Sequence, residues 1–144
     1  MGYYTFELDL AQAKLIEKEF VTILKEHQNI KRVEFNNDYL YDVLIETEEG
    51  IKTYEIKHDK MSNKTGNLAL EFHSRGKPSG ISTSQADFWI YKLEDGFYKI
   101  SLNELKQLVN DKKYIRTVSG GDMGSFTRMY LFSLQVIKPS MEKL

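Results

Sequence analysis

Two runs dense in aromatic and β-branched residues, 39–47 and 51–58, stand on either side of Glu48-Glu49-Gly50. A short loop carrying glycine between two such runs predicts a β-hairpin. Side chains on a strand alternate between its two faces. Glu55 and Lys57 therefore share one face, and Ile56 points the opposite way, into apolar packing. Asp42 falls near the start of the first strand, where the hairpin brings it close to Glu55.

The rest of the pattern supplies the elements around this hairpin. Asp9 is placed to cap a helix over 10–26. Ala13, Ile16, Phe20, Ile23 and Leu24 recur there at helical spacing and make one apolar face. At 100° per residue Glu17 falls inside that face, and Glu19 falls well off it. Glu17 either meets a charged partner there or reaches water at the stripe's edge. Residues 31–35 read as a short strand, and Asn36-Asn37-Asp38 as a turn. A polar loop over 60–66 comes next, then a strand over 68–72 and a basic loop over 73–80. A short helix is expected from Ser82, with residues 86–89 inside it. Residues 89–93 and 97–100 form a second hairpin around Glu94-Asp95-Gly96. Ser101 caps a helix over 102–110, with Glu104 placed as in a capping box. A Gly-rich loop over 119–125 leads to a last strand over 130–137. The expected fold class is α/β, with a mixed central β-sheet flanked by helices.

The chain of 144 residues suits one domain over 1–144, since no linker or repeat divides it. It has no cysteine, which excludes disulfides and thiolate-ligated zinc. No apolar run approaches the ~18 residues of a membrane helix. The first residues lack the basic and apolar regions of a secretory signal. No membrane contact and a cytoplasmic location are expected. The formal charge of −1 hides an asymmetry: residues 1–49 carry 11 acids and 5 bases, and residues 50–144 carry 10 acids and 15 bases. Such asymmetry hints at a charged ligand, or reflects no more than solubility.

Two carboxylates that converge repel each other unless a cation joins them. Asp42 and Glu55 offer oxygen ligands, which suit a hard divalent ion such as Mg2+. Lys57 then stands where it orients an attacking water or offsets charge on a phosphate.

The order Glu17, Asp42, Glu55-Ile56-Lys57 resembles the PD-(D/E)XK nucleases, the restriction-endonuclease-like superfamily. Residues 10–100 match that family's plan of a helix, a hairpin carrying the motif, further strands and a helix. The segments Thr65-Gly66-Asn67-Leu68-Ala69-Leu70-Glu71-Phe72 and Ser79-Gly80-Ile81-Ser82-Thr83-Ser84-Gln85-Ala86-Asp87-Phe88-Trp89 are similar to the stretch beyond the lysine in small Holliday-junction-resolvase-like and phage-type nucleases. Tyr41-Asp42 stands in place of the Pro-Asp of the name. The resemblance implies that Asp42, Glu55 and the Ile56 carbonyl bind Mg2+, for which Mn2+ can substitute. It implies that Lys57 assists the nucleophilic water, and that Glu17 is the helix acid some members use. It further implies a homodimer that cuts branched or duplex DNA by a metal-activated water. A nicking or restriction-type nuclease is the alternative, as is a DNA-binding domain without catalysis on the same fold.

The flanking residues fit phosphate contacts. Lys60, Lys64, Arg75 and Lys77 bracket the 68–72 strand, and Ser82 and Thr83 are expected at a helix N-terminus. The bland reading of these residues is a solvated loop. Glu71 faces either the site or the surface. His27, His58 and His73 lack zinc-ligand spacing. Phe88, Trp89 and Tyr91 lie in an apolar run and read as core.

Overall fold

The computed structural model describes residues 2–36, 40–120 and 126–144, with side chains from residue 10 onward. The hairpin forms where the sequence places it. Strands β2 (Val43–Thr47) and β3 (Gly50–His58) pair antiparallel, with Thr47 opposite Gly50 and Val43 opposite Tyr54. Gly50 has a φ of 119°, a conformation that side chains rarely tolerate, and so turns the chain. β1 (Ile30–Phe35) adds to the outer edge of β2. Of the expected 36–38 turn, residues 37 and 38 lie outside the described residues, as does Tyr39.

The first helix, α1 (Gly2–His27), is longer than expected. Asp9 does not cap it but lies within it. Between residues 3 and 27 there is neither glycine nor proline to interrupt the run. Its buried face is Ile16, Phe20, Val21 and Leu24, with Ile23 partly buried. Ala13, expected on this face, is exposed, and Val21 takes a buried place beside Phe20.

β6 (Phe88–Leu93) runs parallel to β3, and β7 (Gly96–Ser101) returns antiparallel as the second hairpin. With β10 (Glu142–Lys143) at its far edge, the central sheet has the order β1-β2-β3-β6-β7-β10 and is mixed. α3 (Leu102–Asn110) begins as predicted: the Ser101 hydroxyl accepts the Glu104 N–H at 3.1 Å.

The crossover from β3 to β6 differs from expectation. The 60–66 segment contains a helical turn, α2 (Ser62–Thr65). β4 (Asn67–Ser74) and β5 (Lys77–Pro78) come next, and then a 3-10 turn at Gly80–Ser82. No helix grows from Ser82, and Phe88 and Trp89 start β6 instead. The Asp87 carboxylate accepts the Thr53 N–H at 2.9 Å, which ties this stretch to β3 as an extended segment. β4 pairs with β9 (Thr127–Ser133), and β9 with β8 (Arg116–Gly120). These make a second, antiparallel sheet in the order β5-β4-β9-β8, which the sequence pattern does not announce. Of the expected 119–125 loop, Ser119 and Gly120 end β8, and the rest lies outside the described residues. The last expected strand stops at Ser133 and turns into α4 (Leu134–Ile137). There the Leu134 N–H bonds the Gly66 carbonyl at 2.9 Å, which takes the chain out of the ladder.

Both faces of the central sheet are covered. On one, the α1 face packs against Val43, Ile45, Tyr54, Ile90 and Phe97. On the other, Trp89, Tyr91, Leu93 and Ile100 meet Leu68, Leu70 and Phe132 of the second sheet and Leu102 and Leu105 of α3. The site therefore has α1 on one side and the second sheet on the other. Among the described residues no helix is long and apolar enough to cross a membrane.

Candidate active site

The β2 ladder begins at Val43, whereas β3 runs on to His58. Alongside Ile56, β3 is therefore bonded not by a strand but by a side chain. The Asp42 Oδ2 accepts the Ile56 N–H at 2.8 Å. The Asp42 N–H in turn donates to the Tyr54 carbonyl at 2.9 Å, so the residue is held at both ends. A strand residue's N–H and C=O project to the same side, which directs the Ile56 carbonyl to this edge as well.

Glu55 and Lys57 project to the face opposite Ile56, as alternation requires. Their β6 partners in register are Trp89 and Tyr91. The Lys57 Nζ lies 3.3 Å from the Glu55 Oε2 and 5.6 Å from the centre of the Trp89 ring. The Asp42 and Glu55 carboxyls lie close enough for each to act on the other's ionisation.

Burial raises Glu55 to about 6; the nearby Lys57 ammonium opposes the rise, and the Asp42 charge adds to it. Burial also raises Asp42, against the lowering effects of the Ile56 N–H and the Lys57 charge. Glu17 is pushed up to about 7, first by burial and then by the charges of Asp42 and Glu55. Glu17 is half-buried, between its two readings, and the charges it meets are of its own sign. Its neighbours are acids, and only Lys14 opposes the rise. Glu19, off that face, pairs with Lys92 of β6 at 2.6 Å and fixes α1 to the sheet.

Two adjoining cavities share Lys57 and Glu71. One, of about 560 Å3, lies between Gln12, Ala13 and Ile16 of α1 and Ala69, Glu71 and Met129 of the second sheet, with Lys57, Lys60 and Tyr91 on its wall. The other, of about 730 Å3, is lined by Glu55, Lys57, Glu71, Lys77, Ser79 and Thr83 among others. Glu71 thus faces the site, across from Lys57. Strand alternation puts it on the same face of β4 as Ala69, and just beyond it the β4–β9 register slips before His73, leaving Phe72 unpaired with β9. The Phe72 carbonyl instead accepts the Ser79 N–H at 3.1 Å and the Ser82 hydroxyl at 2.8 Å.

The expected phosphate contacts divide. Lys60, Lys77 and Thr83 line the cavities. Lys64 lies on α2 and Arg75 in the β4–β5 turn, neither of them on a cavity wall. Ser82 and Thr83 do not stand at a helix N-terminus, because the turn there is a three-residue 3-10 turn. The Ser82 hydroxyl is committed to the Phe72 carbonyl.

Sequence reasoning overlooked Asp59. Its Oδ1 accepts the Met61 and Ser62 N–H groups, each at 3.1 Å, and its Oδ2 accepts the Ala69 N–H at 2.9 Å. It clamps the end of β3 to the start of the second sheet. The signal available was an acid two residues ahead of a Met-Ser-Asn turn, a common capping arrangement. His58 is an exposed side chain, and its pKa is lowered by the partial desolvation of its ring and then by the charges of Lys60 and Lys92.

Among the described residues, no group of three or more His, Asp or Glu side chains is already closed around a metal-sized point. The donor set nevertheless suits a hard cation: two neighbouring carboxyls, a carbonyl at the same edge and a third acid nearby, all oxygen. No family model, curated protein or solved structure matches this chain. Function is therefore read from the site itself.

Proposed function

We propose that the protein is a Mg2+-dependent DNA endonuclease of the PD-(D/E)XK type. The observation that carries this reading is the meeting of Asp42 and Glu55, with Glu17 beside them and Lys57 3.3 Å from Glu55. A fold gains nothing from crowding acids that raise one another's pKa, unless a cation replaces their protons. Asp42, Glu55 and the Ile56 carbonyl would hold Mg2+, which when bound supplies Lewis acidity toward water and phosphate. Mn2+ would serve the same donors.

The chain's own residues do the rest. Asp42 is anchored by the Ile56 N–H, which leaves its other oxygen for the cation. Lys57, held over Trp89, orients the attacking water and offsets negative charge on the phosphate. Water adds to phosphorus, the P–O bond to the leaving strand breaks, and the leaving oxygen takes a proton. Lys60, Lys77 and Thr83, on the cavity walls, are placed to contact the backbone phosphates beside the one that is cut. Preference for branched DNA and action as a homodimer belong to the same proposal, since a two-fold pair supplies one site per strand.

The test is incubation with linear duplex, single-stranded and four-way-junction DNA, in Mg2+ or in chelator. Metal-dependent cleavage that Glu55→Ala and Lys57→Ala each lower by about a hundredfold or more bears the reading out. Binding without cleavage of any substrate favours the non-catalytic DNA-binding alternative.

A further inference from the structure

Tyr91 is 1% exposed, and among the described residues its hydroxyl has no hydrogen-bond partner. A buried hydroxyl without a partner is expensive, and native folds keep few of them. This one lies in register with Lys57 on the neighbouring strand, on the same face, and Tyr91 lines the 560 Å3 cavity that Lys57 and Glu71 share. The ring is held firmly. It tilts against Trp89, with centroids 6.2 Å apart, and Trp89 is itself fixed by a 3.1 Å bond from its indole N–H to the Ser84 hydroxyl. A phenylalanine would pack as well, so the oxygen adds nothing to the core.

We propose that the Tyr91 hydroxyl is a further donor of the site and hydrogen-bonds an oxygen of the substrate complex beside Lys57. That oxygen is a non-bridging phosphate oxygen of the bound strand or the attacking water. The proposal rests on the nuclease reading for the identity of its ligand. Burial, Asp59 and Glu55 all raise the phenol well above its ordinary pKa, so it stays protonated and able to donate. It therefore complements Lys57, which brings charge, with a fixed neutral O–H at the cavity floor. The hydroxyl does not move a proton in the reaction; it positions an oxygen.

The experiment compares wild type with Tyr91→Phe in three measurements. They are thermal unfolding, affinity for a DNA duplex with Ca2+ in place of Mg2+, and the cleavage rate in Mg2+. The variant should melt at or above the wild-type temperature, because it loses an unpaired buried group. Affinity weakened about tenfold places the hydroxyl on a phosphate oxygen, and unchanged affinity with cleavage slowed about tenfold places it on the water. Unchanged affinity together with unchanged cleavage overturns the proposal and leaves the nuclease reading standing. A lower melting temperature with both unchanged assigns the hydroxyl to the fold, and also overturns it. If the wild type cuts nothing, the nuclease reading fails and affinity alone decides: weaker binding by the variant supports the donor, and equal binding overturns it.

Discussion

The Asp42 carboxylate occupies the place a strand would take beside β3, accepting the Ile56 N–H at 2.8 Å. The residue is thus both a piece of the sheet and a member of the site. Asp42→Asn keeps an acceptor for Ile56 while removing the charge that crowds Glu55 and Glu17. In chelator this variant should unfold at the wild-type temperature or above, and it should have lost Mg2+-dependent cleavage. Asp42→Ala strands the buried Ile56 N–H and should cost about 1–3 kcal/mol. Denaturant melts of the two variants check this; equal destabilisation by both would contradict it.

The pKa shifts give stability a direction with pH. Glu55 and Glu17 titrate near 6 and 7 in the fold. In the unfolded chain a glutamate titrates near its ordinary ~4.3. Between those values the folded state holds more protons, so its stability falls as pH rises through the window. In chelator the melting temperature should therefore drop from about pH 5 to about pH 7.5. Mg2+ replaces those protons, and its stabilising effect should be larger at the higher pH. Melting curves with and without Mg2+ across this range test both statements. A flat or rising profile in chelator would count against the site as described.

Gly80 fixes the wall that faces Lys57. Its φ is 53°, and a Cβ there would stand 2.1 Å from the Glu71 carbonyl oxygen. Gly80→Ala should cost about 2–4 kcal/mol, from left-handed backbone strain and overpacking against β4. Chemical denaturation measures this, and a change under about 0.5 kcal/mol, within the usual range for surface substitutions, would show that the wall yields.

Asp59 accepts three backbone N–H groups, and through that of Ala69 it holds the end of β3 to the second sheet. Asp59→Ala should lower stability by about 1–3 kcal/mol. It should also reduce cleavage more than cation affinity, because it loosens Glu71 relative to Lys57 and leaves Asp42 and Glu55 anchored. Calorimetry with Mn2+ alongside cleavage rates would separate the two effects.

Local pattern carried the acids of the site. Strand alternation and Gly50 were enough to put Glu55 and Lys57 on one face, and helical spacing put Glu17 at the apolar stripe, where it is half-buried. Ser101 and Glu104 announced the start of α3. What stayed hidden depends on contacts between distant segments. Residues 86–89 have a helical look, but Asp87 is claimed by Thr53, 34 positions earlier, and the stretch extends. The place of Glu71 on the site depends on β4 packing over the end of β3, and the bulge beyond it at Phe72 is held by Ser79 and Ser82 from another turn. Tyr91 reads as core and is core; only its unpaired oxygen distinguishes it, and no sequence pattern records that.

The central claim is that Asp42 and Glu55 gather to hold a divalent cation. Titration of the purified protein with Mn2+, monitored by calorimetry at about pH 7.5, above the values of about 6 and about 7 to which Glu55 and Glu17 are raised, tests it most directly. The account predicts saturable binding by wild type, abolished in Asp42→Asn and in Glu55→Gln although both remain folded. Wild type that binds no Mn2+, or variants that bind it as tightly, would contradict it.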